Sequence, residues 1–213
     1  MRMFQKIRKI IGTALVKEPI ADQFVYKDNE KSFAGNTMEG ANVLVVTNCK
    51  EASFEVNVMK KMLDSEKCNY RFMHTGIEGF CISQINEIVG NFIGQIDHII
   101  NILDVDMLHG SIVMPVYKCL QEEAEYAIGK MQGGSICVAV RYDTDINPGR
   151  QAEINALSKA VSGLGSVMLD HGIIMNGAVI QKSVPLEDEL AAVIYLCGKY
   201  GQILAGGVLE MSG

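Results

Sequence analysis

Four aspartates in two short motifs, Asp104-Val-Asp106 and Asp143-Thr-Asp145, are the densest set of potentially reactive groups in the chain. Each motif follows an apolar run suited to a buried strand, which places both at the C-terminal ends of neighbouring strands, where open α/β sheets put their ligands. Oxygen-only clusters suit Mg²⁺ or Ca²⁺, and His109 is near enough to assist. Loop acids at such ends also cap helices and face water, and that is the role expected here, with no metal. The six cysteines, at 49, 68, 81, 119, 137 and 197, stand singly. With no CxxC and no paired Cys/His spacing, zinc and redox motifs are excluded, and a reduced, cytoplasmic protein is expected. His74, His98 and His171 have no partner spacing, and the twelve methionines are scattered as core packing would scatter them.

The elements that must position these residues emerge from charge and periodicity. The chain has 213 residues, 48% of them apolar and 21% charged, with a net charge of -6. A core of that size needs neither disulfides nor a structural metal, and the acidic balance excludes a general nucleic-acid binder. No apolar run reaches the roughly 20 residues that span a bilayer. Arg2, Lys6, Arg8, Lys9 and Lys17 give the first 17 residues +5 with no acid, leaving -11 for the rest. Met3, Phe4, Ile7, Ile10, Ile11 and Leu15 fall on one helical face, so this head reads as a basic amphipathic helix. Packing on the protein's own body or on a partner subunit is expected, with contact between residues 1–17 and an anionic membrane surface as the alternative. Periodicity is lost from Glu18 to Ala41, a linker. The division is therefore 1–41, helix and linker, and 42–213, the folded domain.

From Asn42 onward strands alternate with helices. Strands are expected at Asn42–Thr47, Asn69–Met73, Ile96–Leu103, Ser135–Val140, Ile173–Ile180 and Val208–Met211. Helices are expected at Glu51–Ser65, Ile82–Gly94, Met114–Met131, Ala152–Asp170 and Leu186–Lys199, the first with Phe54, Val58, Met62 and Leu63 inward. Such alternation implies βαβ units and a doubly wound parallel sheet between helices, a Rossmann-like α/β fold.

Four segments resemble the short-chain dehydrogenases/reductases. Ile96-Asp-His-Ile-Ile-Asn101 is similar to the strand ending in that family's Asn-Asn-Ala-Gly motif, and Ser158-Lys-Ala-Val-Ser-Gly-Leu164 to the helix after its Tyr-x-x-x-Lys pair. Gly172-Ile-Ile-Met-Asn176 matches its Gly-Ile-x-Val-Asn strand, and residues 203–213 resemble its C-terminal close. The resemblance spans 42–213 in the family's order. It implies a dinucleotide site and an oxidoreductase centre, yet the positions that would carry both are altered. Where the family has three glycines cradling the pyrophosphate, the stretch Thr47 to Phe54 has Asn48, Ala52 and Phe54. Phe54 is expected to fill the turn, and Glu51 and Asp104 add carboxylates along the cofactor's path. Of the catalytic residues only Asn101 and Lys159 remain. Asn155 replaces the tyrosine, and an amide cannot deliver the proton. Val140 and Arg141 fall at the serine position, with Tyr142 nearby.

Two segments are also shorter than in the family: only His74 to Cys81 stands where a further helix and strand shape the adenosine pocket, and Gln181 to Pro185 runs almost directly into the next helix. The truncated domain is accordingly read as a catalytically silent homologue with no cofactor, acting as a dimer or tetramer or beside an active relative. The expected seam comprises Ala156, Ala160 and Gly163 on one helix, with Tyr117, Leu120 and Ala124 on another. The alternatives are an NAD- or NADP-dependent oxidoreductase with an atypical site around Lys159 and Tyr142, a metal-dependent enzyme using the Asp motifs, and a ligand sensor.

Overall fold

The computed structural model describes residues 38–74 and 95–213. The expected N-terminal helix, nearly all of the linker and the helix expected over Ile82–Gly94 lie outside the described residues. Six strands form one parallel sheet: β1 (Asn42–Thr47), β2 (Asn69–His74), β3 (His98–Asp104), β4 (Gly134–Tyr142), β5 (Ile173–Gln181) and β6 (Val208–Met211), in the order β2-β1-β3-β4-β5-β6. The β1 sequence Asn-Val-Leu-Val-Val-Thr is buried at all six positions, as a strand covered on both faces requires.

Alternation along the strands assigns the two faces. Leu44, Val46, Ile99, Leu103, Ile136, Val138 and Val140 meet α2 (Val113–Lys130) and α3 (Pro148–Leu169). Val45, Ile100 and Ile102 point the other way, toward Met59 and Leu63 of α1 (Phe54–Ser65) and Leu190, Val193 and Ile194 of α4 (Leu186–Cys197). Among the described residues no helix is long and apolar enough to cross a membrane.

Local chemistry moves several boundaries from their sequence-based positions. Ser53 caps α1 by accepting from the Val56 N–H, so the helix starts at Phe54 rather than Glu51. Its buried residues are Val56, Val58, Met59 and Leu63, so Val58 and Leu63 point inward as expected, and Phe54 is turned outward with 69% of its surface exposed. The expectation that Phe54 packs inward is thereby corrected. Likewise Asn147 caps α3 and Pro148 opens it, four residues before the expected Ala152. The β5–α4 connection is as short as the sequence implies, residues 182–185.

One glycine lets α3 settle on the sheet. A Cβ on Gly165 would lie 2.6 Å from the Gly206 Cα and 3.0 Å from the Met175 carbonyl oxygen, both backbone atoms that cannot swing aside. Gly163, two residues earlier, faces open space. Gly165→Ala is expected to lower stability by about 1–3 kcal/mol through overpacking, whereas Gly163→Ala gains helix propensity worth up to about 1 kcal/mol. Urea titration of both variants checks the opposite signs.

Candidate functional site

The order β2-β1-β3 makes the C-terminal ends of β1 and β3 the switch point at which successive connections diverge. Asn48 leaves β1 there, and its side chain spans the gap. Its Nδ2 donates to the Asp104 carbonyl oxygen and its Oδ1 accepts from the Asp104 N–H, both at 2.8 Å. The N-terminus of α1, which could otherwise offer amides to an anion, is answered by its own residues. The Ser53 hydroxyl takes the Val56 N–H, and the Glu55 carboxylate accepts from its own backbone N–H. That bond, ahead of the opposing effect of burial and with help from the charges of Arg141 and Lys182, lowers the Glu55 pKa.

Lys182, on the short β5–α4 connection, reaches back to the aspartates. Its Nζ lies 2.8 Å from Asp104 Oδ1, 2.8 Å from Asp106 Oδ2 and 3.8 Å from Asp143 Oδ2. Burial works against this ammonium, but the hydrogen bonds and charges of Asp104 and Asp106 outweigh it and raise its pKa. Asp106 also accepts from the Asp143 N–H at 2.9 Å, and Asp104 caps the 3-10 turn Val105–Met107 by accepting from the Asp106 N–H. The structure thus gathers three of the four aspartates around a cation supplied by the chain, while Asp145 stays exposed. Among the described residues no group of three or more His, Cys, Asp or Glu side chains is arranged to hold a metal ion.

On the α4 face, Arg141 donates from Nε to Glu189 Oε2 at 2.6 Å, with Glu55 Oε1 3.9 Å from Nη1. Both members of the pair are buried. Burial opposes the Arg141 charge but is outweighed by the charge and hydrogen bond of Glu189, so the guanidinium stays ionised; burial also pushes the Glu189 carboxyl up against the pull of Arg141. Arg141, which the sequence resemblance sets at a serine position, is therefore engaged by a structural ion pair and presents no hydroxyl.

The residues that the sequence resemblance sets against a catalytic set are dispersed. Lys159 and Asn155 are exposed on α3, where Asn155 accepts from Gln151. Tyr142 is half-buried at the end of β4, and no hydrogen bond joins it to Lys159. Asn101 is fully buried on the α2 side of the sheet, where its Nδ2 donates to Glu123 at 2.8 Å. Ala52 and Glu51 are exposed in the turn after β1. Of the expected seam, Ala156 and Gly163 are exposed and Ala160 and Tyr117 half-buried. Leu120 and Ala124 are corrected: both are consumed in the chain's own core between α2 and the sheet.

Lys182, Glu189 and Glu123 were not marked by sequence reasoning, although each left a signal. Lys182 directly follows the strand whose end shares an edge with both Asp motifs. Glu189 and Glu123 fall within apolar stripes, Leu186-Glu189-Leu190-Val193 and Val116-Leu120-Glu123-Ala127, where an acid at helical spacing marks a buried partner.

No family model matches the chain, and no curated protein matches it in sequence. Solved structures do match it in shape. A short-chain dehydrogenase from Mycobacterium smegmatis superposes with a TM-score of 0.59 at 9% identity, over 84% of this chain and 94% of its own. The citronellol catabolism dehydrogenase of Pseudomonas aeruginosa gives 0.63 at 11%, over 82% and 95%. A gluconate 5-dehydrogenase from Burkholderia cenocepacia, solved with NADP and tartrate, gives 0.58 at 11%, over 85% and 97%. The fold is that of the short-chain dehydrogenases. On this short-chain dehydrogenase fold the crevice that the sheet order creates is bridged by Asn48 and bordered by Asp104, Glu55 and Lys182.

Removing one member of a buried ion pair strands the other. Glu189→Ala is expected to cost about 3–5 kcal/mol, whereas Arg141→Met combined with Glu189→Leu costs far less or stabilises, because no buried charge is left over. Chemical denaturation of the single and double variants checks this, and a single variant as stable as the parent contradicts it.

Proposed function

We propose that this chain is a catalytically silent protein on the short-chain dehydrogenase fold, working by association in the cytoplasm as a homo-oligomer or as the partner of an active relative. The observation that carries the reading is the two-way hydrogen bond between Asn48 and the Asp104 backbone. A dinucleotide pyrophosphate needs free backbone amides and a positive field at this point. Here an amide side chain bridges the strand ends, Ser53 takes the Val56 amide of α1, and Asp104 places a carboxylate at the same end of the sheet. Turnover is opposed separately, because Asn155 cannot titrate and Arg141 is committed to Glu189. The steric obstacle in this reading is Asn48, not Phe54.

Calorimetric titration with NAD and with NADP at millimolar concentration is expected to give no saturable heat. Micromolar binding of either nucleotide overturns the reading.

For association, α3 offers an outward strip of Ala156, Ala160, Gly163 and Val167, the last 54% exposed, and α2 adds the exposed Ile128. Small side chains allow a second helix to approach closely, and an apolar strip of this kind favours a symmetric contact. Ala160→Arg, which places a bulky charge in that strip, is expected to shift the protein toward monomer in light scattering behind size exclusion. A wild-type protein that is monomeric at tens of micromolar, with no partner recovered by pull-down, removes the association reading.

A further inference from the structure

Glu123 is fully buried on the inner stripe of α2, and its neighbours are neutral or acidic. Asn101 Nδ2 donates to its Oε2 at 2.8 Å and the Cys119 thiol to its Oε1 at 3.4 Å. Glu122, next on the same helix, adds repulsion, and among the described residues no cation bears on the site. Two neutral donors, one a weak thiol, do not compensate a carboxylate removed from water, so the acid form is favoured. Asn101 supplies an independent sign of the same state: its buried Oδ1 has no hydrogen-bond partner. A protonated Glu123, unlike its carboxylate, carries an O–H able to supply the missing donor.

We propose that Glu123 is held as a neutral acid in the folded protein, its O–H directed to Asn101 Oδ1, and that this acid–amide pair is a pH-sensitive latch between α2 and β3. Burial raises the carboxyl to about 7, against the hydrogen bonds from Asn101 and Cys119, so the latch opens near neutrality. The surroundings leave no other switch at this point. The Cys119 thiol is pushed far above the physiological range by burial and by Glu123. His98, at the other end of β3, is bonded to Ser135 and has its pKa lowered by burial. The side chains that β4 and α3 bring to the same core, among them Ile136, Val138, Leu157 and Val161, are apolar. The Arg141–Glu189 pair belongs to the opposite face of the sheet.

The test compares wild type with Glu123→Gln in urea unfolding from pH 5 to 8.5. A carboxyl whose folded pKa is raised contributes stability below its unfolded value and loses it as pH rises toward the folded one. The wild-type unfolding constant, divided by that of the variant to remove His98 and all other groups, should grow about tenfold per pH unit up to roughly pH 7 and level off above. A ratio independent of pH overturns the proposal. Infrared spectra of the unmutated protein at pH 6 read the same group directly, without relying on the variant to fold. A solvent-shielded protonated carboxyl band supports the latch, and its absence overturns it.

Discussion

The carboxylate of Asp104 ends the central strand with only 7% of its side chain exposed, and a charge so placed must be matched by another. Lys182 supplies the match, and the arrangement of the whole C-terminal edge follows from that requirement. To bring the ammonium within 2.8 Å, the chain after β5 must turn back over β3 and β4 immediately, leaving a connection of only residues 182–185. The same aspartate offers its backbone N–H and carbonyl to Asn48, so β1 is tied to β3 at the point where a doubly wound sheet would otherwise open. Edge charge and crevice closure are two sides of one aspartate.

The two faces of the sheet are held by different chemistry. On the α1 and α4 side the polar ties include an ionised pair, Arg141 with Glu189, and the Asn176 amide, which donates to the Leu196 and Gly201 carbonyls. On the α2 and α3 side the one buried acid, Glu123, meets only an amide and a thiol. The first face therefore depends on charge complementarity, and the second on the cost of keeping a carboxyl from ionising. Burial raises the pKa of both Glu123 and Glu189, but only Glu189 has a cation that pulls the other way.

The fold was legible because its signal is redundant. β-branched runs such as Val43–Val46 alternate with amphipathic stretches, and a parallel sheet with helices on both faces is the arrangement that buries both. Helix boundaries were less legible, because caps such as Ser53 and Asn147 act through single hydrogen bonds that periodicity does not register. The start of α1 shows the consequence: shifting it from Glu51 to Phe54 turned an expected obstruction into a surface ring. In the candidate site the aspartates could be placed at one edge from sequence, since strand ends follow from strand assignment. Their partner Lys182 could not, because ion pairing depends on which connection folds back over which strand. Leu120 was misplaced for a related reason: an apolar stripe does not say whether the surface it meets belongs to the same chain.

The ties at the C-terminal edge join residues far apart in the chain, 56 positions between Asn48 and Asp104 and 48 between Arg141 and Glu189. Contacts of this separation form late, because long loops must close before they contribute. During synthesis β1 and β3 can pair early, yet Asp104 meets its nearest cation only when residue 182 has left the ribosome, and Arg141 its helix partner only when residue 189 follows. A nascent chain ending between β4 and α4 thus lacks the closest partner of each charge, leaving Asp104 and Arg141 with one another and with the more distant Glu55. Its central strands can be held open to solvent or to a chaperone until the segment from residue 182 onward arrives and locks them.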